Sequence, residues 1–183
     1  MSLVSPLMSV MRDLAQRPTT AAPAGPQVRG VRPEDLPALL RLCSEHAELT
    51  VFERRPYGHA RDSLLELREA LFEPPLRAWA WIACVDGEAV AYASATVGFS
   101  LLERAYHLCL EGLYVRAAWR ERGIEALLFE QALGAAARFG CLNLQWQAPA
   151  WSEAARALDL PRRATRMEAL RYVLPVNPAG DAG

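Results

Sequence analysis

Leu110-Glu111-Gly112-Leu113-Tyr114-Val115, then Arg116-Ala117-Ala118-Trp119, then Arg120-Glu121-Arg122-Gly123-Ile124-Glu125-Ala126-Leu127-Leu128 is the stretch on which the fold turns. Its first part closes a strand running from Tyr106 to Val115, interrupted by Gly112 where a bulge is natural. Its last part opens the longest helix, Arg122 to Phe139. Ile124, Leu127, Leu128, Ala132, Ala135, Ala136 and Phe139 recur at helical spacing and predict its buried stripe, and Gly140 suits the residue that ends it. The pattern is a bulged strand, a short turn and an amphipathic helix with a glycine at its start.

Upstream, Val28 to Val31 reads as a first strand, and Pro33-Glu34-Asp35 opens a helix, since proline fits a first turn and acidic residues favour its dipole. Leu36, Leu39, Leu40, Cys43 and Ala47 give that helix one apolar face. A second helix spans about Ala60 to Phe72 and stops before Pro74-Pro75. Ala78 to Val85 and Glu88 to Val97 form a hairpin about Asp86-Gly87. Both runs read as apolar on both faces, hence central in a covered sheet, and a loop of Phe99 to Arg104 leads on to the bulged strand.

Downstream, Leu142 to Gln147 alternates as a half-polar strand, Ser152 to Leu158 reads as a helix ended by Pro161, and Met167 to Leu174 closes the sheet. The order β-α-α-β-β-β-α-β-α-β describes an α+β domain with a single mixed sheet flanked by helices. The Thr, Ala, Gly and Pro residues of Pro18 to Pro26 mark residues 1–26 as a flexible N-terminal extension, residues 27–175 as the domain and 176–183 as a C-terminal tail.

Composition narrows the function classes. At 183 residues the chain fits one domain with a sizeable core, and 52% hydrophobic with 22% charged residues is ordinary for a soluble enzyme. A formal charge of −1 predicts no nucleic-acid partner. All 20 basic residues are arginine, which excludes Schiff-base and P-loop lysines. Cys43, Cys84, Cys109 and Cys141 stand far apart in apolar segments and read as small buried hydrophobes; with His46, His59 and His107 they show no metal-ligand spacing. Met1 to Met11 is broken by Arg12 and Asp13 and lacks a basic lead, so neither a membrane span nor a signal peptide is expected. A reduced, cytoplasmic compartment follows. No G-x-G-x-x-G follows the first strand, which disfavours a dinucleotide site.

Arg120-Glu121-Arg122-Gly123-Ile124-Glu125, placed between the bulged strand and the helix, resembles the R/Q-x-x-G-x-G/A motif of the GNAT N-acetyltransferases. The similarity runs from about Val28 to Leu174 and is greatest to the diamine (spermidine/spermine-type) N-acetyltransferases, whose strand carries L-E-D before Tyr-Val. It implies the GNAT fold, acetyl-CoA as co-substrate, no metal, a small primary amine as acceptor, direct attack in a ternary complex and a homodimer. By resemblance, the cofactor lies against the backbone of Leu113, Tyr114 and Val115 and the turn of Arg120, Glu121, Arg122, Gly123, Ile124, Glu125 and Ala126. The physical basis is sound: free N–H groups at a helix N-terminus suit a pyrophosphate, glycine allows close approach, and arginines add positive charge. A bulge N–H would face the thioester oxygen.

Three positions depart from that pattern. Glu125 replaces the second glycine, either facing the pyrophosphate or pointing to solvent as a favourable first-turn acid. In Trp151-Ser152-Glu153-Ala154-Ala155-Arg156-Ala157-Leu158-Asp159, the asparagine that contacts the cofactor arm becomes Ser152 and the acidic tyrosine becomes Asp159. An aspartate with a pKa of about 3.9 is ionised at pH 7 and cannot protonate a departing thiolate. Glu111 matches the Glu of L-E-D and is expected to bind the amine and relay its proton, or else to stand as a solvated strand-end carboxylate. Glu48 and Glu53 would add negative charge for a cationic amine, whereas Tyr92 and Tyr106 read as sheet packing. Two functions follow: an N-acetyltransferase, or a diverged GNAT domain acting as a ligand-binding or interaction protein.

Overall fold

Asp86 and Gly87 both adopt positive φ (49° and 82°), the backbone that lets two residues reverse a twisted hairpin. Around this turn the computed structural model, which describes residues 25–51, 64–147 and Thr165, builds a five-stranded sheet. The strands are β1 (Gln27–Gly30), β2 (Trp79–Val85), β3 (Glu88–Ser100), β4 (Ala105–Val115) and β5 (Asn143–Trp146), hydrogen-bonded in that order. β1 to β4 are antiparallel and β5 runs parallel to β4, so the sheet is mixed as expected. The helices are α1 (Leu36–Val51), α2 (Leu64–Phe72) and α3 (Ile124–Arg138), with short 3-10 turns at Pro33–Asp35 and Ala117–Trp119. The expected helix at Ser152 to Leu158, the strand at Met167 to Leu174 and both terminal segments lie outside the described residues.

Each face of the sheet is covered by its own core. On one side α3 sets Ile124, Leu128, Phe129, Ala132, Ala135 and Ala136 against Trp81, Ala83, Ala91, Ala93, Ala95, Leu108, Leu110 and Val115. On the other, Leu36, Leu39 and Leu42 of α1 meet Ile82, Tyr92 and Tyr114, with Leu67 and Leu71 of α2 behind them. Each fully buried Leu or Ile contributes about 1.5–3 kcal/mol.

The expectations are corrected in detail. In α3 Phe129 is buried, whereas Leu127 and Phe139 are partly exposed; in α1 Leu42 joins the stripe and Leu40 does not. Tyr106 is half-exposed and pairs edge-to-face with Phe99. All four cysteines are half-buried rather than buried, and none forms a disulfide. Gly140 (φ 68°) does close α3: its N–H donates to Ala137 O and that of Cys141 to Ala136 O.

Strand β3 departs most from expectation. Ala91, Ala93 and Ala95 turn toward α3, and their small side chains let the helix approach closely. The alternate positions Tyr92, Ser94 and Thr96 put a row of hydroxyls on the α1 side. The α1 side of the strand is therefore mixed, with Tyr92 and Ala89 in the apolar core and Ser94 and Thr96 polar.

Candidate active site

The bulge in β4 falls at Glu111. Ser94 pairs with Gly112 and the next residue, Ala95, with Leu110, so Glu111 is the inserted residue. Its effect is visible in the core. Leu110 and Leu113 would face opposite sides in a regular strand, yet both pack on the α3 side.

Beyond the bulge β4 separates from its neighbour. Among the described residues β5 pairs only with His107 to Leu110. Arg116 N–H donates to Val90 O (3.0 Å), which fixes the antiparallel alternation and turns the N–H and C=O of Leu113 and Val115 away from β3. Val115 O indeed points outward, where Arg120 Nε donates to it at 3.1 Å. Strand edge and helix start are thereby brought together.

Among the described residues that helix start is open. Gly123 (φ 76°) is the N-cap of α3, and no side chain caps it. The first N–H groups of a helix have no partner within it, so those of Ile124, Glu125 and Ala126 are left for other acceptors at the end of the turn that Arg120 ties to β4. Glu121 also takes positive φ (61°), which makes the turn tight. Among the described residues a Cβ on Gly123 would meet nothing within 4 Å. The arginines are already committed: Arg120 holds Val115 O, and the Arg122 guanidinium lies 4.7 Å over the Trp119 ring. Glu125 sits half-buried in the first turn.

The α1 side of the same strand is polar. Thr96 Oγ1 donates to Glu111 Oε1 at 3.2 Å, and the Glu111 side chain is exposed. A Cβ on Gly112 would lie 3.1 Å from Ser94 Oγ and 3.4 Å from Tyr92 Oη. Tyr92 Oη is 2.8 Å from His46 Nδ1, and the His46 ring stacks on Tyr114. Burial holds the Tyr92 phenol well above its ordinary pKa, and the neighbouring Cys43 adds to the shift. Tyr114 Oη donates to Glu45 Oε2 (3.1 Å), and Arg116 grips the same carboxylate with Nε and Nη2 (2.9 and 2.7 Å) while Nη1 reaches Glu88. The Arg116 guanidinium holds the Glu45 carboxyl below its usual range.

The structure thus gathers the expected strand positions Glu111, Leu113, Tyr114 and Val115 and the turn Arg120 to Ala126 at one place. Ser152, Asp159 and Glu53 lie outside the described residues. Glu48 is exposed on α1. Beside them the structure sets His46, Ser94 and Thr96, which sequence reasoning did not bring to this place, and Tyr92, which packs in the core as expected. The period-two spacing of the three hydroxyls in an otherwise alanine-rich strand was the available signal for Ser94 and Thr96.

The family described as Acetyltransferase (GNAT) family matches residues 40–158, about two thirds of the chain. The chain belongs to the GNAT acetyltransferase family. Among solved structures this GNAT domain is similar to the ribosomal-protein-alanine N-acetyltransferase of Brucella melitensis biovar Abortus 2308. The two share 19% identity at a TM-score of 0.65, over 84% of this chain and 100% of that one. An aminoglycoside N-acetyltransferase solved with CoA gives 18% identity and a TM-score of 0.65, over 84% and 98%. A third, an aminoglycoside acetyltransferase from an uncultured soil metagenomic sample solved with sisomicin, gives 17% and 0.64, over 82% and 97%. At such identities the likeness is one of fold. No curated protein matches the chain. Among the described residues no helix is long and apolar enough to cross a membrane.

Proposed function

We propose that this GNAT domain, residues 27–175, transfers an acetyl group from acetyl-CoA to a small cationic primary amine by direct attack. The observation that carries the reading is the meeting of the outward-facing Leu113 and Val115 backbone with the uncapped start of α3. The strand edge suits the amide-rich pantetheine arm, and the N–H groups of Gly123 to Ala126 suit the pyrophosphate. Arg120 and Arg122 stand beside that turn, and Ser152 would contact the arm. Glu125 opposes the fit without removing any N–H group.

Glu111, exposed at the bulge and oriented by Thr96, would bind the ammonium group and accept its proton. An amine near pKa 10.4 is about 99.9% protonated at pH 7 and must lose that proton before it attacks. The L-E sequence before Tyr114-Val115 favours a diamine-type acceptor, and the resemblance favours a homodimer. A second reading, ligand binding without efficient transfer, is favoured by Asp159 in place of an acidic tyrosine.

Calorimetric titration with acetyl-CoA, followed by CoA release with spermidine, sisomicin and an alanine-starting peptide as acceptors, separates the readings. Binding with turnover on an amine supports the transferase. Binding with no release on any acceptor supports the second reading, and no binding sinks both. Glu111→Gln is expected to lower turnover by about 10²-fold while leaving acetyl-CoA binding intact.

A further inference from the structure

At the end of the sheet far from the candidate site, the β3–β4 hairpin runs on past its neighbours. We propose that two copies of the chain meet there, hairpin to hairpin, about a two-fold axis at Gly98. The inference gives an interface to the homodimer of the functional reading and rests on that part of it, not on the transfer chemistry.

The first observation is an unpaired strand edge. β2 pairs with β3 only as far as Trp79 and Ala95, whereas β3 continues to Ser100. The chain ahead of β2 has turned back to α2, since the N–H groups of Arg77 and Ala78 both donate to Ala70 O. Among the described residues, then, no strand lies on that side of residues 96–100. The bulge is in β4, so β3 keeps the alternation that Arg116 N–H to Val90 O sets, and Val97 and Phe99 direct N–H and C=O to the unpaired side. Such an edge is normally blunted by a charge or a proline, and Thr96-Val97-Gly98-Phe99-Ser100 carries neither. The overhang is also packed: the His107 ring covers Gly98 on one face, and Phe99 and Tyr106 meet edge-to-face on the other.

The second is that this edge matches itself. In antiparallel register about Gly98, Val97 of one copy lies opposite Phe99 of the other. Both are positions whose N–H and C=O point across the gap, and the two-fold repeats the pair.

The third is what the same register brings together on either side. It carries the tip of each hairpin toward the start of β2 and the end of β1 in the other copy, where both strands stop. The tip presents Leu101 and Leu102, 84% and 92% exposed. The place it reaches is a slot of about 180 Å³ lined by Val31, Leu71, Phe72, Ala78, Trp79 and Arg138. An apolar cavity of about 150 Å³ holds a benzene ring, so this slot admits a leucine side chain. Glu103 follows the leucines, and neither it nor Arg138 has an ion pair among the described residues. Leucine and carboxylate of one copy therefore face an apolar slot and a guanidinium of the other.

Sedimentation velocity of the full chain over a wide range of concentration, without ligand, tests the surface. The native chain is expected to be a dimer that dissociates on dilution. Leu102→Lys should weaken association about a hundredfold or more, because each of the paired leucine contacts is worth about ten- to a hundredfold. Phe99→Pro removes an N–H on the unpaired side, spares the bonds to β4 and should act likewise. Glu103→Arg and Arg138→Glu should each weaken association about tenfold, and the two together should restore it, which a loss of folding would not do. Acetyl-CoA affinity should stay native in every variant, since the candidate site lies at the other end of β4.

A native chain that stays monomeric at every concentration overturns the interface and the homodimer together. A native dimer that survives Leu102→Lys and Phe99→Pro unchanged overturns the interface alone. A double charge reversal no better than either single one overturns the pairing of Glu103 with Arg138.

Discussion

Glu125 is the residue at which family and chain disagree most sharply in charge. Its N–H belongs to the uncapped first turn of α3, so the hydrogen-bonding surface for an anion survives the loss of glycine. Its carboxylate, at about 6 Å from a phosphate, would repel it by roughly 1–3 kcal/mol at effective dielectrics between 80 and 20. The two arginines that would offset this are engaged, Arg120 with Val115 O and Arg122 with the Trp119 ring. Glu125→Gln is therefore expected to tighten acetyl-CoA binding about tenfold at low salt, with the gain shrinking as salt screens the charge. Titration of both proteins at two salt concentrations measures it. Unchanged affinity at both would place the native carboxylate in solvent, away from the ligand.

At the scale of elements, the strand, turn and helix from Ala105 to Arg138 depend on backbone conformations that few residues tolerate. Gly123 and Gly140 bound α3, both at positive φ and both with nothing within 4 Å of a would-be Cβ. Replacing either by alanine costs backbone strain alone, about 1–2 kcal/mol. The pair makes a paired experiment: Gly123→Ala and Gly140→Ala should lower stability in urea similarly, but only Gly123→Ala should weaken acetyl-CoA binding. Equal effects on binding would mean that the α3 start has no special part in it. These glycines, the Asp86-Gly87 turn and the 3.6-residue stripe of α3 were legible because each is a local property of the chain. The position of the bulge was legible to within one residue: Gly112 drew attention, but the inserted residue is Glu111, a matter of pairing with β3 that no local pattern states. His46 and Tyr92, 46 positions apart in sequence, meet only because α1 crosses β3, and nothing in either segment announces the contact.

For the whole molecule, the candidate site exists where two layers are held in register. α3 fixes the turn from one side of the sheet, while α1 carries His46 and Glu45 from the other. Arg116 joins the α1 layer to the end of β4: it holds Glu45 of α1 through two nitrogens, Glu88 of β3 through a third, and leaves β4 within two residues of Tyr114. A second tie, Arg29 of β1 to Asp35, anchors the start of α1. Arg116 holds the Glu45 carboxyl below its usual range, and Arg29 does the same for Asp35. A carboxylate depressed in the folded state contributes stability that is fully present above its unfolded pKa, about 3.9–4.3, and is lost as pH falls through its lower folded value. The unfolding temperature should therefore hold above pH about 5 and drop below it as these two groups protonate. A Glu45→Gln, Asp35→Asn double variant should start lower at neutral pH and lose less between pH 5 and 2.5, because its ties no longer titrate. Calorimetric scans across that range decide the matter. A double variant with the native slope would show that α1 is held to the sheet by its apolar face alone, with the Arg116 and Arg29 ties merely resting on it.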